Sequence, residues 1–191
     1  MSSIVAVVKD GVACIAADSM TSFGDTLQPA DYDRYHDKII QAGESFIGIV
    51  GSAAHQLVVE TLLTGDDFEY DFTDRRSIFD TLLRMHPVLK ERFYLSPKQE
   101  EEDPYEASHI DALIVNPNGI FGIYALREVF EYTRFWAVGS GAEFALGAMY
   151  AAYDRLESAQ EIAAIGIQAG AEFNSSTSLP MTSYTVYLEG D

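Results

Sequence analysis

Ser2, Asp18 and Lys38 are the residues in this 191-residue chain whose types and spacing could do chemistry together. Ser2 follows Met1 directly and runs without a spacer into Ser3-Ile4-Val5-Ala6-Val7-Val8. With Met1 removed, Ser2 carries a nucleophilic hydroxyl and a free α-amine on one residue. Such an amine titrates at roughly 7.7 to 8.0, far nearer neutrality than a lysine, and so can act as base for its own side chain. A Met-Ser start is also a common, well-processed terminus, so Ser2 gains weight only from what surrounds it. Lys38 is the only lysine between Lys9 and Lys90, and a carboxylate and an ammonium beside a hydroxyl could lower the nucleophile's effective pKa and move its proton.

The elements that must bring them together are short hairpins. Residues 2 to 9 form an apolar, β-rich run, Asp10-Gly11 is a two-residue turn signal, and Val12 to Ala17 reads as the return strand, closed by Asp18. That hairpin returns Asp18 to the neighbourhood of Ser2. A second hairpin is expected over Lys38 to Gln41, a turn at Ala42 to Ser45, and Phe46 to Ser52. Helical spacing follows over Ala53 to Leu63, stopping at Gly65, and again over Ser77 to Phe93 with a kink or break at Pro87. Strands are expected at 111–115 and 120–124 around the turn Asn116-Pro117-Asn118-Gly119, then at 135–138. Helices over 142–155 and 159–173 and a last strand over 183–188 complete the chain. Strands at both ends with paired helices between hairpins imply two antiparallel sheets covered by helices, an α+β, four-layer αββα sandwich built as one domain over residues 1–191.

Taken in order, these features resemble the N-terminal-nucleophile hydrolases of the proteasome β-subunit and HslV type. The resemblance is carried by Ser2-Ser3-Ile4-Val5, Ala16-Ala17-Asp18, Lys38-Ile39, Gly48-Ile49-Val50-Gly51 and Gly139-Ser140-Gly141, which keep the family's order over nearly the whole chain. It implies the same αββα fold, Ser2 as nucleophile, Asp18 and Lys38 as the charged pair beside it, and the Gly48 amide as oxyanion donor. It further implies that Ser140 and Glu172, the latter where the family usually has aspartate, assist around the α-amine. Ser22, Phe46 and Val50 match positions that bind the substrate backbone or line its pocket, with modest apolar side chains expected before the cleaved bond. Read without the resemblance, Gly48 and Gly51 are a tight strand-to-helix turn, and Ser22, Phe46 and Val50 are sheet packing.

Three departures set this chain apart. Serine stands where the family has threonine, whose methyl group restricts the rotamer. The segment from Gly24 to Lys38 is longer than in HslV, and the acidic stretch from Leu95 to Pro104 has no counterpart there. Together they indicate a divergent bacterial branch.

Composition narrows the rest. A net charge of −18, from 30 acidic against 12 basic residues, argues against nucleic acid or an anionic membrane as partner. Cys14, the single cysteine, falls in an apolar strand, so disulfides play no part and a reducing cytoplasm suits the chain. No apolar run approaches a membrane span, and no charged leader precedes Ser2. His36, His55, His86 and His109 lack metal-ligand spacing. Gly139-Ser140-Gly141 fails the dinucleotide pattern because Phe144 occupies the third glycine position, and Glu100 to Asp103 reads as a solvated loop. No cofactor or metal is expected.

The expected activity is that of a peptidase with peptide or unfolded protein as substrate. The resemblance implies a homo-oligomeric double ring with the sites facing a chamber, and an ATPase unfoldase is a partner such rings use. Two alternatives stand beside it: an amidase for small amides on the same scaffold, and a catalytically silent assembly subunit that keeps Met1.

Overall fold

The computed structural model describes residues 2–95, 106, 110–125 and 128–190. Most of the acidic stretch read from the sequence, and His109, lie outside them.

Two antiparallel sheets stack face to face. The first has the order β10-β1-β2-β11, from β1 (Ser3–Lys9), β2 (Val12–Asp18), β10 (Phe135–Gly139) and β11 (Met181–Tyr187). The second has the order β5-β6-β7-β8-β9, from β5 (Ile39–Ala42), β6 (Ser45–Val50), β7 (Asp111–Asn116), β8 (Gly119–Tyr124) and β9 (Glu128–Tyr132). A small ribbon, β3 (Thr21–Phe23) with β4 (Thr26–Gln28), stands apart.

Strand alternation explains the layering. In β1 and β2, Ile4, Ala6, Ala13, Ile15 and Ala17 point to the opposing sheet, where they meet Ile39, Leu113, Val115 and Ile120. Val5, Val7, Cys14 and Ala16 point the other way, onto α3 (Ala142–Ala152) and α4 (Ala159–Phe173) through Ala145, Met149, Ile162 and Ile167. The second sheet does the same: Ile40, Ile47, Ile49, Ile114 and Phe121 pack on α1 (Ala53–Thr64) and α2 (Arg75–Glu91). Strands buried on both faces read as unbroken apolar runs, which is why the first hairpin carries no polar alternation. The result is the αββα sandwich expected.

Some boundaries differ from expectation. α2 begins two residues earlier than the spacing suggests because Asp74 caps it, accepting from the Arg76 and Ser77 amides at 2.8 Å each. The helix also runs through Pro87 without a break. Its buried stripe of Ile78, Leu82, Met85 and Leu89 continues on both sides of the proline, and burying those side chains, at about 1.5–3 kcal/mol each, offsets the lost hydrogen bond. The sequence reading gives no strand at β3, β4 or β9.

Candidate active site

The first hairpin does most of the assembly. Ile4 lies opposite Ala17, so Asp18 reaches the head of β1 beside Ser3. Asp18 is fully buried and accepts four hydrogen bonds. Oδ1 takes the Ser3 amide at 2.9 Å and the Lys38 ammonium at 2.8 Å, while Oδ2 takes the amides of Met20 at 3.2 Å and Ser178 at 3.3 Å. Because Ser3 N–H and Lys38 Nζ share one oxygen, the ammonium is held beside the Ser2–Ser3 peptide. Ser2 itself is 5% exposed, and it and Lys38 line one cavity of about 290 Å³.

Lys38 is placed by the residue before it. Asp37 Oδ1 accepts from the Ile39 amide and from Thr182 Oγ1, and its Oδ2 accepts from Tyr184 Oη at 2.6 Å. The Gln56 amide group donates to the Asp37 carbonyl at 2.7 Å. One aspartate thus ties the start of β5 to β11 of the other sheet and to α1. Its carboxylate pushes the Tyr184 phenol up to about 12. Burial drives Lys38 the opposite way, below its ordinary value, against the opposing pull of Asp18. A lysine so placed gives up its proton more readily than one in water.

Ser140 follows β10, whose Gly139 pairs with Ser3. Its hydroxyl is 3.5 Å from the Ser2 carbonyl oxygen, at the limit of a hydrogen bond, and donates to Asn174 Oδ1 at 3.1 Å. Asn174 Nδ2 returns a bond to the Ser140 carbonyl at 2.9 Å. Thr177 extends the chain, with Oγ1 2.7 Å from Ser3 Oγ and 3.3 Å from Asn174 Oδ1. Glu172, expected at this place, lies exposed on the solvent side of α4. Among the described residues it is Asn174, at the helix end where the chain turns back toward β1, that bonds to Ser140. Local sequence does not single out Asn174, Thr177 and Ser178, since Asn174-Ser175-Ser176-Thr177-Ser178 reads as an ordinary polar loop; its one signal is the density of hydroxyls just before the last strand.

The remaining expected residues divide. Ser22 lines the cavity. Phe46 does not: it faces into the sandwich and stacks on Tyr184 with ring centres 4.7 Å apart. Val50 packs at the end of β6, against the space a Cβ on Gly139 would need. Gly48 lies inside β6 opposite Ile39 and Leu113, and a Cβ there would sit 2.6 Å from Ile4 Cγ2. The glycine bordering the cavity is Gly51, at φ +130° in the turn into α1. The long segment before Lys38, whose local sequence points to no role, supplies a wall: Asp33, Tyr35 and His36 line the cavity, with His36 Nδ1 3.0 Å from the Asp33 carbonyl. Among the described residues no group of side chains could hold a metal ion.

Sheets stacked between helix pairs, with a hydroxyl residue and a buried lysine–carboxylate pair at the head of the first strand, define the proteasome and HslV class of fold. BPH, a bacterial proteasome homologue from Thiobacillus denitrificans, is similar at 39% identity and a TM-score of 0.90, over 99% of this chain and 100% of that one. The same protein in complex with epoxomicin matches at 38% identity and a TM-score of 0.89, over 98% of this chain and 100% of that one. HslV from Trypanosoma brucei shares the fold at a TM-score of 0.66 and 14% identity, over 97% of this chain and 99% of its own. No protein-family model matches the chain, and no curated protein does. The chain belongs to the divergent bacterial proteasome and HslV-like family, the family of that BPH.

Proposed function

We propose that this protein is a peptidase that uses Ser2 as an N-terminal nucleophile once the bond to Met1 is cut. The observation that carries the reading is the shared Asp18 oxygen, which fixes the Lys38 ammonium beside the Ser2–Ser3 peptide inside a cavity. Ser2 Oγ attacks the scissile carbonyl carbon and passes its proton to its own α-amine. The tetrahedral intermediate collapses with loss of the peptide amine, which takes that proton, and water then hydrolyses the ester to restore Ser2. The positive charge at Lys38 favours the developing negative charge on Oγ. Backbone amides at the end of β6, between Gly48 and Gly51, meet the oxyanion. Ser140 and Asn174 orient the first residue by gripping the strand beside it, and Ser22 borders the bound peptide. Peptide or unfolded protein is the substrate, enclosed by a homo-oligomeric ring with which an ATPase unfoldase could work.

The test uses a peptidyl epoxyketone, whose ketone engages a hydroxyl and whose epoxide carbon engages a neighbouring amine. Intact mass should show a protein without Met1, carrying one added probe that maps to Ser2, and Ser2→Ala should remain unlabelled. A protein that keeps Met1 in full and stays unmodified overturns the catalytic reading and favours the silent assembly subunit.

A further inference from the structure

Among the described residues the sandwich is open along one side. β10, the outermost strand of its sheet, faces the β8–β9 end of the other sheet, and between them lies a cavity of about 530 Å³ that shares no lining residue with the Ser2 cavity. Its walls are Tyr124, Phe130, Tyr132 and Trp136, with the carboxylates of Asp111 and Glu128 also lining it.

These rings form a built wall. Gly122 on β8 leaves room for Tyr132 to lie across the strand, since a Cβ there would fall 2.6 Å from the Tyr132 ring. Tyr132 stacks on Trp136 with centres 4.9 Å apart and planes within 9°. Trp136 Nε1 donates to Tyr124 Oη at 2.5 Å, and Tyr124 Oη lies 3.0 Å from Tyr132 Oη. Phe130 meets Tyr124 edge-on at 5.8 Å. The polar edges of the three larger rings are therefore spent on one another, and Tyr132 is held between Gly122 and Trp136, so what the wall has left to offer a ligand is the Trp136 face turned away from Tyr132 and the ring of Phe130, 44% exposed. Asp111 is fixed in turn, its Oδ1 accepting from the Ala125 amide at 3.1 Å. Among the described residues no lysine or arginine lines this cavity.

Aromatic faces attract cations through their quadrupole, tryptophan most strongly, and carboxylates beside them supply the balancing charge. We infer that this cavity binds an organic cation of the alkylammonium or guanidinium type, its head against the free face of Trp136 and the ring of Phe130 and its charge offset by Asp111 and Glu128. The inference is independent of the Ser2 chemistry.

Trp136 is the only tryptophan in the chain, so its fluorescence reports on this cavity alone. Full-length protein titrated with tetramethylammonium chloride, against sodium chloride at matched ionic strength, should show a saturable change in emission. The neutral isostere tert-butanol should need at least about tenfold more for the same change. The pair Asp111→Asn and Glu128→Gln should weaken the cation about tenfold and leave the alcohol unaffected, and Glu128→Gln alone, at an exposed side chain, gives the same direction should the pair fail to fold. Ser2→Ala should titrate like the parent. Absence of a saturable change, an equal response to tert-butanol, or undiminished cation binding by the folded carboxylate variants overturns the inference.

Discussion

Lys38 is charged against the preference of its surroundings, since burial lowers its pKa and, among the described residues, only Asp18 offers it a counter-charge. The linkage has a definite sign. In the fold the charged form is disfavoured relative to the unfolded chain, so the penalty is full below the folded pKa and is relieved as pH rises toward the ordinary 10.5. For catalysis, the same shift means that activity depending on Lys38 changes with an apparent pKa below 10.5. Lys38→Ala is expected to cut peptide cleavage by about 10²–10⁴-fold, the usual range for losing a group that moves or stabilises a proton. The fold should survive, because Asp18 keeps the amides of Ser3, Met20 and Ser178 and the loss stays below the ~3–5 kcal/mol of a fully orphaned buried charge. Turnover on a fluorogenic peptide, with circular dichroism of the same sample, checks both, and undiminished turnover would assign the role elsewhere. Asp18 and Lys38 were legible from the sequence because a two-residue turn fixes where a hairpin ends and because no other lysine is near. Asn174 was not, because its contact with Ser140 depends on where α4 stops relative to β10, and nothing local in the sequence states that distance.

At the scale of elements, the decisive contact is between β1 and β10. Gly139 has φ +96°, and a Cβ there would sit 2.0 Å from the Ser2 carbonyl oxygen, so only glycine lets the two strand ends close around Ser2. Gly139→Ala is expected to displace Ser2 while leaving the rest of the sheet paired. A shift of even about 1 Å at a reacting group costs on the order of 100-fold in rate. The variant should therefore assemble and melt as a folded protein yet lose at least that factor in cleavage, and a variant within threefold of the parent would show that Ser2 tolerates the move. The long helices were readable from their apolar period, and the doubly buried strands from unbroken apolar runs closed by turn residues. β9 was not: Glu128, Phe130 and Tyr132 share the face toward the open side of the sandwich, so its alternation carries a single buried residue, Val129. β3 and β4, three residues each, are too short for any period to register. Pro87 misled in the other direction, since local chemistry argues for a break that long-range packing on the sheet overrides.

For the whole molecule, the question is what covers the surface a single copy leaves apolar. α3 buries Ala145, Met149 and Ala152 against its own fold and turns Phe144 and Tyr150 outward, 42% and 74% exposed. Phe173 at the end of α4 is 69% exposed and meets Phe144 with ring centres 5.7 Å apart. Aromatic residues paired on the outside of one helical layer fit a contact with further copies of the chain better than they fit solvent. The net charge of −18 opposes that contact, because every copy repels every other. Assembly should accordingly be salt-dependent: repulsion reaches about 30 Å at 0.01 M ionic strength but only about 8 Å at 0.15 M. We expect a particle of roughly a dozen subunits, as closure of stacked rings would allow, at 0.15 M salt, and partial dissociation at 0.01 M. Replacing Phe144 and Phe173 together by glutamate should dissociate it at both, adding charge where apolar area was buried. Native mass spectrometry and light scattering read all three states. A 21.1 kDa monomer at micromolar concentration and 0.15 M salt would leave the Ser2 site open to folded proteins and shift the reading from a chambered peptidase to a hydrolase of small amides.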